Sequence, residues 1–122
     1  MEIEGWPAEW LRGLLEVCVL GIIAEGPTYG YAIATALQEA GVGVIKGGTL
    51  YPLLSRLEAA GYVDVDWRAG EGGPGRKYYS LSPIGRSELD RQARLWEQFT
   101  AVTGRLITGS LTHNSPASKG TS

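Results

Sequence analysis

Apolar residues recur at helical spacing over most of this chain and at alternate positions over one short stretch, and the two periods predict its elements. Leu11, Leu14, Leu15, Cys18 and Ile22 share one face, Pro7 suits a first helical position and Glu9 suits the positive end of the dipole, so a first helix runs from about Pro7 to Ala24. Gly26 and Pro27 stop it. Thr28 is placed to cap a second, shorter helix from about Tyr29 to Ala40, with Tyr31, Ala32, Ile33, Ala36, Leu37 and Ala40 as its apolar positions and Gly41 as its end.

The glycine-rich stretch 41–48 reads as a connection. From Thr49 the stripe Leu50, Leu53, Leu54, Leu57 and Ala60 predicts a third helix to about Ala60, with Pro52 in its first turn and Gly61 as its stop. Its other face, Thr49, Pro52, Ser55, Arg56 and Ala59 with Tyr51 at the boundary, is small, polar and basic. The period then drops to two. Residues 62–67 and 76–81 form the strands of a β-hairpin around the turn Ala69 to Gly75. Ser82-Pro83 is an N-cap followed by proline, and opens a fourth helix to about Ile107. That helix, about 37 Å long at 1.5 Å per residue, is longer than a small three-helix core needs.

The expected architecture is therefore mainly α with a small β-hairpin: a winged helix-turn-helix in residues 1–82, a dimerisation helix in 83–108 and a disordered tail in 109–122. A chain of 122 residues has room for one such domain. Its formal net charge of −2 carries none of the bulk basicity of many nucleic-acid binders, but the distribution is uneven. Residues 1–45 hold one basic and six acidic side chains, whereas 46–94 hold eight and six. The cations gather where a contact surface is expected.

The major groove of B-DNA admits one helix, with phosphates on either side to be met by cations or N–H groups. Thr49, Tyr51, Pro52, Ser55 and Arg56 of the third helix are candidate groove contacts, with Lys46 just before it. Arg76 and Lys77 of the hairpin are candidate phosphate contacts, and Tyr29 and Tyr31 are further hydroxyl donors. In the fourth helix, Leu89, Ala93, Trp96, Phe99, Val102 and Leu106 form an apolar series suited to pairing across a two-fold axis. Trp6 and Trp10 supply more aromatic surface near the first helix. The partners implied are double-stranded DNA, a second copy of the chain and a small planar hydrophobic effector stacked between subunits; the alternative, the commoner fate of rings at helical spacing, is that they are dimer core alone.

The segment Gly48-Thr-Leu-Tyr-Pro-Leu-Leu-Ser-Arg-Leu-Glu-Ala-Ala-Gly-Tyr-Val63, followed by Gly75-Arg-Lys-Tyr-Tyr-Ser-Leu-Ser-Pro-Ile-Gly85, resembles the PadR family of transcriptional regulators. Leu20-Gly-Ile-Ile-Ala-Glu-Gly-Pro-Thr-Tyr-Gly-Tyr31 resembles the same family where its first helix ends and its second begins. The resemblance covers about residues 10–108. It implies a dimeric winged-helix repressor released from DNA by a small molecule or stress signal, and the single terminal helix is similar to that of the short subfamily. The acidic first helix departs from that pattern.

Chemistry of other kinds finds little support in the sequence. The single cysteine, Cys18, excludes an internal disulfide, lies on the apolar face of the first helix and is expected to be a buried, inert thiol. The single histidine, His113, lies in the tail. No catalytic set, metal site or cofactor motif is legible, and the turn glycines lack the Lys-Ser or Lys-Thr pair of a phosphate loop. Asp64 and Asp66 read as a solvated strand face. No apolar run reaches the roughly 20 residues of a membrane span, so a cytoplasmic protein without a membrane partner is expected. A protein-interaction module built on the same fold is the alternative, which the cations at both expected phosphate positions disfavour.

Overall fold

The computed structural model describes residues 6–69, 73 and 75–112. In chain order the elements are α1 (Ala8–Ile23), β1 (Thr28–Tyr29), α2 (Gly30–Glu39), α3 (Gly47–Ala59), β2 (Val63–Arg68), β3 (Arg76–Leu81) and α4 (Pro83–Thr112). Two compact units result: a winged-helix body up to Leu89, and α4 from Asp90 onward.

The body is held by the stripes read from the sequence. Leu15, Val19, Leu20 and Ile23 of α1 meet Ile33 and Leu37 of α2, Leu50, Leu53, Leu54 and Leu57 of α3, and Val63 and Tyr79 of the sheet, all buried. Burying an aliphatic side chain of this size contributes about 1.5–3 kcal/mol, so the core is the main source of stability. Helices α2 and α3 end alike. Gly41 and Gly61 adopt φ of 96° and 81°, conformations that strain any residue with a Cβ. Val42 N–H then donates to Leu37 O and Tyr62 N–H to Leu57 O, each at 3.0 Å, while the glycine N–H groups reach Gln38 O and Glu58 O. Both are Schellman closures.

Several expectations change. The hairpin is part of a three-stranded antiparallel sheet in the order β1-β3-β2, with Thr28 opposite Tyr79 and Tyr29 opposite Tyr78. Thr28 is thus a strand residue; Tyr29 is the N-cap of α2, extended at φ −135° and ψ 168°, and no side chain caps that helix. Sheet pairing has taken the residue that a local cap would use. Helix α3 begins at Gly47, with Lys46 as N-cap, and the N–H groups of Thr49 and Leu50 both donate to Lys46 O at 2.9 Å. Pro52 therefore stands inside the helix as its sixth residue, where it removes one ladder hydrogen bond. Helix α4 continues to Thr112, past the expected end at Ile107. The rest of the expected tail, including His113, and the hairpin positions Gly70, Glu71, Gly72 and Pro74 lie outside the described residues.

The start of α4 is fixed as expected. Ser82 Oγ accepts from Gly85 N–H at 3.0 Å and donates to Gly61 O at 2.6 Å, so one hydroxyl caps α4 and ties it to the end of α3. Gly85 is packed so tightly against the Tyr62 carbonyl that a Cβ there would overlap backbone.

Candidate nucleic-acid interface

Helix α3 presents its solvent side between two concavities. Gly48, Pro52, Ser55 and Ala59 are exposed along the middle of that side, all of them short, so the helix axis can approach an opposing surface closely. Tyr51 and Glu58 lie towards one edge and Thr49 and Arg56 towards the other, as 100° per residue requires.

On the first side, a cleft of about 460 Å³ is lined by Tyr29, Gly30, Tyr31, Tyr51, Ser55, Trp67, Arg76, Lys77 and Tyr79. It gathers six of the ten residues proposed from sequence for DNA contact. Tyr31 and Tyr51 are 74% and 50% exposed, and it is the hydroxyl end of Tyr51 that packs on Gly30. Gly30, missed in the sequence, explains where Tyr51 sits: the Tyr51 ring lies against the Gly30 Cα, in space that any Cβ would fill. Trp67, 68% exposed and opposite Lys77 in the β2–β3 register, was missed as well. An exposed tryptophan on a strand was the available signal.

Arg76 and Lys77, adjacent in sequence, point to opposite faces of the sheet because strand side chains alternate. Arg76 places its guanidinium 4.4 Å from the centroid of the Tyr29 ring. Lys77 turns inward, with Nζ 3.1 Å from Glu58 Oε1 of α3 and 5.7 Å from the centre of the Tyr79 ring. The hydrogen bond to Glu58 raises the Lys77 pKa above the usual lysine range, and burial raises that of the Tyr79 hydroxyl. Lys77 is a cation and Tyr79 a neutral phenol at physiological pH.

On the other side of α3, a groove of about 640 Å³ is lined by residues that include Arg12 of α1, Lys46, Thr49, Pro52 and Arg56. These are the remaining four sequence-proposed contacts, with Arg12 added. The acidity of the first 45 residues hid Arg12, although it is the one cation among them. Together the cleft and groove are lined by five basic side chains and no carboxylate, in a chain with more acidic than basic residues.

The other candidates are placed as follows. Cys18 is half-buried, and burial raises its pKa. It lines an apolar cavity of about 280 Å³ with Trp6, Trp10, Leu11, Leu14, Leu15 and Val42, and Trp6 is held at its edge by Nε1 donating to Gly41 O at 3.0 Å. In α4, Trp96 and Phe99 pack edge to face with centroids 5.6 Å apart. Leu95, Phe99, Val102 and Leu106 are 49%, 57%, 50% and 78% exposed. Their spacing of four, three and four puts them on one stripe, whereas Ala93 falls well to its side. Leu95 was not in the sequence-derived series. No group of three His, Cys, Asp or Glu side chains suited to a metal ion is present among the described residues, and no helix there is long and apolar enough to cross a membrane.

Residues 19–91 match the family described as Transcriptional regulator PadR-like family. A transcriptional regulator of Mycobacterium tuberculosis is 31% identical over 105 residues, covering 86% of this chain and 92% of that protein. The crystal structure of a PadR family transcriptional regulator from Eggerthella lenta is 36% identical with a TM-score of 0.75, covering 82% of this chain and 87% of the other. A Streptococcus transcriptional regulator is similar at 35% identity and a TM-score of 0.73, covering 81% of this chain and 97% of its own. The winged-helix body with its long terminal helix belongs to a PadR-like transcriptional regulator.

Proposed function

We propose that the protein binds duplex DNA sequence-specifically, with α3 in the major groove and the cations of its two flanks on the bordering phosphates. The observation that carries this reading is the clustering of cations: Arg12, Lys46 and Arg56 on one side of α3, Arg76 and Lys77 on the other, and no carboxylate lining either concavity, with Glu58 paired to Lys77 at the cleft's edge. Phosphates border the major groove on both sides in the same way. Arg56 is the base-reading candidate, since its fork matches guanine. A protein-interaction surface has no requirement for that arrangement.

The regulator acts as a homodimer through α4, represses, and is released by a planar hydrophobic effector held against the Trp96–Phe99 pair. Two symmetry-related copies of α3 then meet a pseudo-palindromic operator with half-sites about 10 base pairs apart, or a multiple of that. The test is anisotropy titration of labelled duplex DNA at increasing salt, first with mixed sequence and then with sequences selected by the protein. Affinity falling linearly in log salt, with selected sites preferred over mixed sequence, is the expected result. Binding that is absent or indifferent to salt overturns the proposal. For the effector, quenching by planar aromatic compounds that persists unchanged in Trp96→Phe removes that part alone.

A further inference from the structure

The outer face of the wing sheet carries a cluster in which the reading above uses only Arg76 and Tyr29. Alternation and register put Tyr29 of β1, Arg76 and Tyr78 of β3 and Arg68 of β2 on this face. Tyr29 and Tyr78 are opposite each other, with ring centroids 5.3 Å apart at 56°. Each ring carries one guanidinium: Arg76 Cζ lies 4.4 Å from the Tyr29 centroid and Arg68 Cζ 4.4 Å from that of Tyr78. The ladder ties all three strands together.

Arg68 and Arg76 also face each other directly in the β2–β3 register. Like charges in that relation destabilise a sheet, so stability does not account for the pair. Asp66 engages Arg68 through Nε at 3.2 Å, which takes the Nε side of that guanidinium and leaves its Nη1–Nη2 end. Arg76 has the Tyr29 face as its partner and no carboxylate in ion-pair range among the described residues. The acids of this face, Asp64 and Asp66, stand opposite Ser80 and Tyr78, on the body side of the arginine pair.

We infer that Arg68 and Arg76 form a two-guanidinium site for one phosphodiester of bound DNA, with Tyr29 and Tyr78 as positioning residues that hold the two planes. Stacking leaves a guanidinium's N–H edges for an oxyanion, Arg68 offering the end that Asp66 does not hold, and the two guanidiniums lie on neighbouring rings. So exposed a site holds a small free anion weakly, but a phosphate of DNA already bound at α3 arrives at high effective concentration. The inference rests on the DNA-binding reading and adds Arg68 and Tyr78 to it.

The experiment titrates mixed-sequence duplex DNA with the wild-type chain, Arg68→Ala, Arg76→Ala, the double variant, Tyr78→Leu and Tyr78→Phe, over a range of salt. Each arginine variant is expected to weaken binding about tenfold at low salt, the loss for one charge-assisted contact. Because the phosphate is shared, the double variant loses less than the product of the two, and its salt slope is shallower by about 0.9, one phosphate, rather than twice that. Tyr78→Leu behaves like Arg68→Ala, while Tyr78→Phe, which keeps the ring, binds as wild type. Thermal melts check that every variant is folded; the arginines are exposed, so the arginine variants should not melt lower, and Tyr78→Leu is compared at a temperature where it is folded. Multiplicative losses with a slope change of about 1.8 overturn the shared site, and unchanged affinity in Arg68→Ala overturns any contact there. Both results leave the DNA-binding reading standing, whereas a wild-type chain that does not bind DNA removes the two together.

Discussion

At the scale of single residues, the wing lysine is already occupied. The ammonium of Lys77 has Glu58 as its partner at 3.1 Å, so a phosphate that takes this cation must displace a carboxylate. Glu58→Gln should therefore tighten binding to mixed-sequence DNA and steepen the salt slope by up to about 0.9, as one more cation becomes available to a phosphate. Stability should hardly change, because exposed ion pairs contribute about 0.2–1 kcal/mol at most. An unchanged slope would show that Lys77 stays on α3 when DNA is bound. Gly30 makes a second test. In Gly30→Ala the new methyl and the Tyr51 ring compete for one space, with an overpacking cost of about 1–3 kcal/mol. Adding Tyr51→Ala should restore the melting temperature without restoring DNA affinity, if the ring is a contact. What the sequence made legible is location: all ten proposed contacts line the cleft or the groove beside α3. Direction was not. Arg76 and Lys77 read as one cationic pair until the strand put them on opposite faces, and nothing near Gly30 in sequence announces Tyr51.

At the scale of elements, punctuation mattered more than propensity. Gly41 and Gly61 ended α2 and α3 where expected because only a left-handed residue completes the Schellman closure, and that requirement is visible in one letter. Strand β1 was invisible for the opposite reason: two residues carry no period, and their partner lies fifty positions away in β3. Pro52 misled because the glycines before it seemed unable to start a helix, yet Gly47 and Gly48 occupy its first turn, where Lys46 O receives the first N–H bonds. Ser82 is the element-scale residue most open to test. Ser82→Ala removes the α4 cap and leaves the Gly61 carbonyl without its donor, which together should cost about 2 kcal/mol in denaturant unfolding. Gly85→Ala should cost at least as much, since its methyl meets backbone at Tyr62 rather than a side chain able to turn away. A change below about 0.5 kcal/mol in either, the range of ordinary surface substitutions, would show that the α3–α4 junction is looser than its hydrogen bonds imply.

At the scale of the whole molecule, α4 has 30 residues, about 45 Å of helix, and its stripe Leu95, Phe99, Val102 and Leu106 stands exposed. Alternating steps of four and three keep such a stripe facing a second helix, and water is a poor neighbour for it. The start of this helix was readable from Ser82-Pro83, but its end was expected at Ile107 and lies at Thr112, and the sequence series favoured Ala93 where the exposed stripe runs through Leu95. If a second copy covers the stripe, Phe99→Glu with Leu106→Glu places four carboxylates at one seam of the pair, and light scattering should give the monomer mass. Neither residue belongs to the body core, so the winged-helix body should melt as before. The consequence for DNA is larger than for stability. With two copies of α3 joined, the second half-site is bound at the effective concentration set by the dimer, and losing that link weakens operator binding by about 10²–10⁴-fold. Binding to a single half-site should change little. A double variant that keeps the dimer mass would place the subunit contact elsewhere, and one that becomes monomeric yet holds the full operator as tightly as wild type would show that each chain reads DNA alone.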